Sequence, residues 1–199
     1  MSSQVQIVNR AMTLLGESRI ASIDDDLKQA RSAKAMWDIS RDALLAAHNW
    51  TFAMHRRTVE ALSDEPEWGF DRQFQVPTDC LRLVQIGELY VGLDLTDYRS
   101  GSSEEYMLEG DRILTSMSAP LKVRYVRRIT DTTKFSQPFA ASLAAKLALD
   151  MCEDLTQSPS KKEAAKAELG NELRNAVRAN AIQVAPQHMP DDEWLMARR

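Results

Sequence analysis

Histidine and cysteine are the side chains of this sequence best suited to catalysis or metal binding, and they are few and widely spaced. The histidines are His48, His55 and His188, and the cysteines are Cys80 and Cys152. A nucleophilic site needs a cysteine and a histidine that the fold brings together, and a zinc site needs ligands at short, regular spacings. No such ligand spacing is present, so we predict structural roles for these residues, with no metal ion and no disulfide framework.

Motifs that bind phosphate or carry a catalytic nucleophile are absent from the sequence. It contains no G-x-G-x-x-G or G-x-x-x-x-G-K-S/T loop, no G-x-S-x-G nucleophile elbow and no H-E-x-x-H metal motif. We therefore predict a protein that is not an enzyme and that uses no cofactor. A hydrolase of an unrecognised type is the alternative, which a broad screen of ester, phosphate and glycoside substrates would detect.

Two arginine clusters are local concentrations of positive charge. Arg56 and Arg57 form the first, and Arg124, Arg127 and Arg128 form the second. Each lies in or beside a predicted strand, so we interpret it as a solvated sheet face or as one side of inter-subunit ion pairs. Transient contact with phosphates is the alternative. The net charge of −4 argues against a dedicated duplex-binding protein, because affinity for phosphates comes mainly from clustered Lys and Arg.

The length of 199 residues suits one domain, or one domain with an insertion, that buries its own core. No stretch approaches the ~20 apolar residues that span a bilayer, and the N-terminus lacks the pattern of a secretory signal. We expect a soluble protein made inside the cell, with no membrane partner. Only seven glycines occur, which favours a helix-rich chain.

The hydrophobic period predicts the elements that position these side chains. Apolar residues at three- and four-residue steps predict four helices, near residues 3–16, 26–48, 135–156 and 160–185. In the middle of the chain, short alternating segments separated by Gly and Pro predict five or six antiparallel strands.

The predicted fold is therefore α+β, with helices at both ends of the chain and strands between them. Residues 1–50 and 132–185 form a helical bundle, and residues 51–131 form an antiparallel β-rich insert. Helix gives way to strand at Trp50, where apolar and other residues begin to alternate. We predict that Trp37, Trp50 and Phe52 are core residues at this junction.

The C-terminal segment 186–199 is too short and polar to fold alone. Pro186 and Pro190 keep it from continuing the last helix. It nevertheless ends in large apolar residues between an acidic and a basic pair, so we predict that it is a docking tail that orders on binding a partner. The predicted partner-binding residues are Trp194, Leu195, Met196, Arg198 and Arg199.

Three stretches together resemble the tail tubular protein A family of short-tailed phages and related head-to-tail connector adaptors. The first begins with VNRAMTLLGESRIASIDDD and continues through an Ala-rich helix carrying Arg41 and Asp42 to HNWTFAMHRRTVEAL. The second is FQVPTDCLRLVQIGELY, and the third is the pair of C-terminal helices followed by DDEWLMARR. The resemblance covers nearly the whole chain and rests on the order and spacing of these pieces.

The resemblance implies a structural role in the virion, after assembly in the host cytoplasm. It implies a helical bundle with a β-rich insertion that assembles as a dodecameric ring. The ring would bind the portal protein above and the next tail component, a tail tube or nozzle protein, below, with transient contact to the genomic DNA in its lumen. The docking tail would bind the portal or a neighbouring subunit. A small DNA-associated phage regulator or packaging factor is the alternative function.

Overall fold

The structure is a computed structural model that describes residues 3–91 and 106–183. Within these residues, four helices and two small antiparallel sheets form a mixed α+β fold, which confirms the predicted fold class. The helices come from the two ends of the described chain, and the strands come from its middle. None of the described helices is long and apolar enough to cross a membrane.

The first helix, α1 (Gln4–Leu15), begins and ends at local signals in the sequence. The Ser3 hydroxyl accepts a hydrogen bond from the Gln6 amide, and the Gln6 side chain accepts one from the Ser3 amide. This reciprocal pair satisfies two amides that the helix itself leaves without an acceptor. Gly16 ends the helix in the left-handed conformation, at a φ of 68°, which glycine adopts without the strain that a Cβ would cause.

The second helix, α2 (Lys28–Ala47), is not capped by the aspartates at positions 24–26 that precede it. Its N-cap is Leu27, which makes no side-chain capping bond. The Asp25 carboxylate instead accepts hydrogen bonds of 2.9 Å from two backbone amides in the preceding loop. No acidic side chain therefore caps α2, because this carboxylate closes the loop before the helix begins.

The C-terminal helices are α3 (Gln137–Thr156) and α4 (Pro159–Ile182). Helix α3 lies at the centre of the helical layer and contacts α1, α2 and α4, so apolar side chains are buried along most of its length. Helix α4 covers one side of α3, and its buried apolar residues are two alanines, Ala165 and Ala176. Small residues at these positions allow the two helix backbones to approach closely.

One hydrophobic core fills the helical layer and reaches the nearest strands. Trp37 and Trp50 are buried in it, as predicted, and Phe52 is half-buried against it. The other large buried members include Met12, Leu15, Leu45, Phe139, Leu143, Leu147 and Met151.

The described middle of the chain contains seven strands, β1 (Met54–Val59), β2 (Arg72–Gln75), β3 (Cys80–Ile86), β4 (Leu89–Tyr90), β5 (Tyr106–Glu109), β6 (Arg112–Thr115) and β7 (Leu121–Arg127). They form a first sheet with the strand order β1-β7-β3-β4 and a second with the order β2-β6-β5. All pairings are antiparallel.

The two sheets share a second hydrophobic core. Alternate residues of β7, namely Leu121, Val123 and Tyr125, point into it, as their spacing in the sequence predicts. Phe74 and Ile113 enter the same core from the second sheet. The inner face of each sheet is therefore covered by the other, and the two outer faces point away from this core.

Trp50 and Phe52 do not belong to a strand. Residues Thr51–Ala53 form a 3₁₀ turn, and β1 begins only at Met54, so the prediction of a strand from Trp50 is wrong. The apolar alternation has a different cause. Both rings contact Phe139 of α3, with 5.1 Å and 5.0 Å between ring centroids, so the alternation reports burial against a helix.

Candidate functional site

The helical layer and the first sheet meet at a junction built around Trp50, Arg82 and Asn180. Trp50 is 1% exposed, and its indole N–H donates to the Leu44 carbonyl over 2.9 Å. Its ring also packs edge-on against Phe139. A hydrogen bond to α2 and an aromatic contact with α3 therefore hold the chain where it leaves the helices.

Arg82 ties β3 to the C-terminal end of α2. Its Nε donates to the Ala46 carbonyl over 2.8 Å, and its Nη2 donates to Oδ1 of Asn49 over 2.6 Å. The last carbonyls of a helix lack an intrahelical donor, and the helix dipole favours a cation beside them. The Arg82 side chain thus supplies a donor to a carbonyl at the helix end and holds the sheet against the helix.

Asn180 brings α4 to the same junction. Its Oδ1 accepts a hydrogen bond of 2.8 Å from the Thr51 amide, and its Nδ2 donates to the Asn49 carbonyl over 3.0 Å. The residue is buried, so these bonds replace the water that a buried amide lacks. We did not predict a role for Asn180 from the sequence. The only signal for it is a polar residue four positions after the buried Ala176, on the same face of the helix.

The two histidines in the described part of the chain pack against aromatic rings. His48 lies edge-on to Trp50, and His55 lies edge-on to Tyr125. Burial lowers the pKa of His48, and the nearby Arg82 cation lowers it further. Within residues 3–91 and 106–183, no group of three or more His, Cys, Asp or Glu side chains could hold a metal ion.

Asp79 engages the second arginine cluster from the start of β3. Its Oδ1 accepts a hydrogen bond of 2.9 Å from the Tyr125 hydroxyl, and its Oδ2 forms a 2.7 Å ion pair with Nε of Arg127. Its carbonyl accepts a bond from the Arg128 amide. Burial raises the pKa of Tyr125 to about 12, and the hydrogen bond to Asp79 contributes to this shift. The charge of Arg127 is therefore balanced within the fold.

Asp42 balances two further arginines. Its Oδ2 lies 2.8 Å from Nε of Arg128, and its Oδ1 lies 2.8 Å from Nη2 of Arg41. Arg41 is almost completely buried and also contacts Asp38. Arg127 and Arg128 are thus both paired with carboxylates, so the second cluster does not act as one free basic patch.

Three further cations, Arg56, Lys122 and Arg124, share one face of the first sheet and form what we call the basic groove. Arg56 and Arg124 are directly opposed in the β1–β7 pair. Lys122 lies two residues before Arg124 in β7, so it is on the same face of the sheet. They line a cavity of about 340 Å³ together with Arg57 and Glu88. None of these four cations forms a salt bridge with another residue in the described part of the chain.

The chemistry of the basic groove is recognition of negative charge. Like charges that face each other across a strand pair are destabilising, so the opposed Arg56 and Arg124 favour an anion bound between them. Guanidinium groups bind carboxylate and phosphate oxygens through two parallel hydrogen bonds. Both kinds of anion therefore fit the groove by charge.

Cys80 is expected to be a slow nucleophile. Burial raises the pKa of its thiol from 9.0 to about 11, and the Asp79 carboxylate adds to the rise. Because the thiolate is the reactive form, alkylation by iodoacetamide at roughly pH 8 should be about 100-fold slower in the native protein than in urea. Peptide mass spectrometry measures the rate at Cys80, which should rise as the pH approaches the pKa. Equal native and unfolded rates would contradict this expectation.

The predicted partner-binding residues of the docking tail lie outside the described residues. These are Trp194, Leu195, Met196, Arg198 and Arg199. Their role in docking stays a prediction from the sequence.

Comparison with known proteins gives no family assignment. No protein-family model matches this chain. No curated protein matches it at a significant level.

Proposed function

We propose that this chain is a structural adaptor of a tailed-phage connector. In this role it forms a ring, dodecameric as the family resemblance implies, between the portal protein and the tail tube or nozzle. DNA passes through the lumen of the ring, and the docking tail contacts the portal or a neighbouring subunit. Two features support the proposal. The first is the order of the family-like stretches along the chain, and the second is that residues of these stretches build the junction between the helices and the first sheet.

The observation that carries the proposal is that residues of these stretches build the junction. Asn49 and Trp50 belong to the stretch 48–62, and Arg82 belongs to the stretch 74–90. Their side chains bond α2 to the sheet and pack against α3, instead of converging on a ligand cavity. The stretches that resemble the family therefore fix the orientation of the β-rich insert relative to the helices.

A fixed orientation of the insert relative to the helices suits an adaptor, because an adaptor contacts different neighbours at the same time. A ring subunit must also present two different faces to its two neighbours. In the described residues, the helices expose Ile39 and Leu14, and the insert exposes Trp68 and Met107. Exposed apolar groups on separate parts of the fold supply surfaces for protein contacts.

A small DNA-associated regulator or packaging factor is the second candidate, because phosphates also fit the basic groove. Three phosphate contacts, from Arg56, Lys122 and Arg124, predict a slope of about −3 for the logarithm of affinity against the logarithm of salt concentration. Stable duplex binding at physiological salt, with a slope at least this steep, would favour the second candidate.

Labelled particles provide the test of the adaptor. We expect a gold-labelled tag, fused ahead of residue 1, to lie at the joint between head and tail in negative-stain images of tailed particles. The reason is that a ring between portal and tail occupies only that position. Untagged particles are the control for stray gold. Absence of label from purified particles, or label only at the far end of the tail, would contradict the proposal.

A further inference from the structure

The outer face of the second sheet carries a pocket of about 390 Å³, which we call the acidic pocket. Among the residues that the structure describes, its lining includes Glu65, Glu67, Trp68, Met107 and Glu109 but no Lys or Arg. Trp68 is 84% exposed, and Met107 is 48% exposed. None of the three glutamates forms a salt bridge with another described residue.

Among the described strands, the cation nearest to this pocket in register is already engaged. Arg112 is the register partner of Glu109 in the β5–β6 pair, but its Nε lies 3.3 Å from the Asp111 carboxylate. The pocket therefore keeps its negative charge beside an exposed tryptophan. Tryptophan is enriched among the residues that dominate binding energy at protein interfaces, so this combination is typical of a contact surface.

The acidic pocket and the basic groove lie on opposite sides of the two-sheet core. In the second sheet, Leu114 and Met107 line the pocket, whereas Ile113 points into the core. In the first sheet, Arg124 lines the groove, whereas Tyr125 points into the same core. Because adjacent residues of a strand face opposite sides, both sites point away from the core in opposite directions.

We propose that the acidic pocket of one copy of this chain binds the basic groove of a second copy. The contact sets the three carboxylates of the pocket against the four cations and the single carboxylate that line the groove. Trp68 can stack on a guanidinium of the groove. A second copy supplies the missing charge to both sites, whereas a nucleic acid would leave the acidic pocket and Trp68 without a partner. The match in charge therefore favours self-association.

The geometry of this contact is head to tail. Each copy has one site of each kind, on opposite sides, so it binds one neighbour through its pocket and another through its groove. Such heterologous contacts generate rings or filaments, and they do not stop at a two-fold dimer. The contact deepens the proposed adaptor function. The closure of the linked copies into a ring, and not a filament, rests on that proposed function.

Sedimentation velocity of the full chain at low salt tests the contact, because salt screens exposed charges. One variant neutralises the pocket, Glu65→Gln with Glu67→Gln, and another neutralises the groove, Arg56→Gln with Arg124→Gln. Each variant should self-associate roughly tenfold or more weakly than the unchanged chain. An equal mixture of the two should give a one-to-one dimer that grows no further, because each partner keeps one intact site.

Glu163→Gln with Lys166→Gln, on the exposed side of α4, is the matched control and should associate like the unchanged chain. The pocket variant and the control should melt like the unchanged chain, since the changed side chains lie at the surface. The groove variant should melt no lower, because it removes the repulsion between Arg56 and Arg124. Three outcomes would overturn the inference: an unchanged chain that stays monomeric at millimolar concentration, neutralised variants that associate normally, or a groove variant that loses only duplex binding.

The two proposals fail separately. Normal gold label at the head–tail joint in particles assembled from either neutralised variant would overturn the head-to-tail contact and leave the adaptor function standing. The expected one-to-one dimer, together with particles that lack the chain, would support the contact and overturn the adaptor function.

Discussion

The change Trp50→Ala is expected to lower the free energy of unfolding by about 3–5 kcal/mol. The side chain is 1% exposed, donates to the Leu44 carbonyl and packs against Phe139. Alanine would leave a cavity between α2 and α3 and an acceptor without its donor. For a chain of this size we expect the melting temperature to fall by about 10 °C, measured by circular dichroism.

Trp68→Ala is the matched control, because the same residue type lies 84% exposed on the insert. It should change the free energy of unfolding by no more than about 0.5 kcal/mol. A Trp50→Ala protein that melts together with the control would show that the junction does not pack as described.

The change Asp42→Ala is expected to destabilise the fold by about 3 kcal/mol. Asp42 is the shared acceptor for Arg41 and Arg128, and the Arg41 side chain is only 6% exposed. Without Asp42, the buried guanidinium keeps only Asp38, whose own side chain is 74% exposed. Urea denaturation gives the loss as a lower midpoint at an unchanged slope.

Asp38→Ala removes the other carboxylate from the same guanidinium and is the control. Its effect should stay below about 1 kcal/mol, because an exposed carboxylate interacts strongly with water in either state. A larger loss for Asp38→Ala than for Asp42→Ala would contradict the assignment of Asp42 as the main partner of Arg41.

Short-range signals in the sequence were sufficient for parts of the fold. Ser3 and Gln6 cap the start of α1, and Gly16 ends the helix directly after Leu15. The period of two at Leu121 and Val123 was sufficient for β7, because alternate side chains of a strand share a face. Both kinds of signal depend on neighbours within a few residues, so the sequence displays them directly.

The same alternation misled at Trp50 and Phe52. A two-residue period in apolar side chains shows which residues avoid water, but it does not show what covers them. Here the cover is Phe139 of α3, about ninety residues further along the chain, and the local backbone is a 3₁₀ turn. The contact with α3, rather than intrinsic strand preference, decides the local conformation.

The charges of the candidate site were decided only by the tertiary structure. The sequence shows arginine clusters, but it does not show which members meet a carboxylate. Arg128 pairs with Asp42, which lies 86 residues earlier, whereas Arg56 and Arg124 face each other across two strands. Ion pairing depends on distances of a few ångströms in space, so strand register and helix packing separate the paired arginines from those of the basic groove.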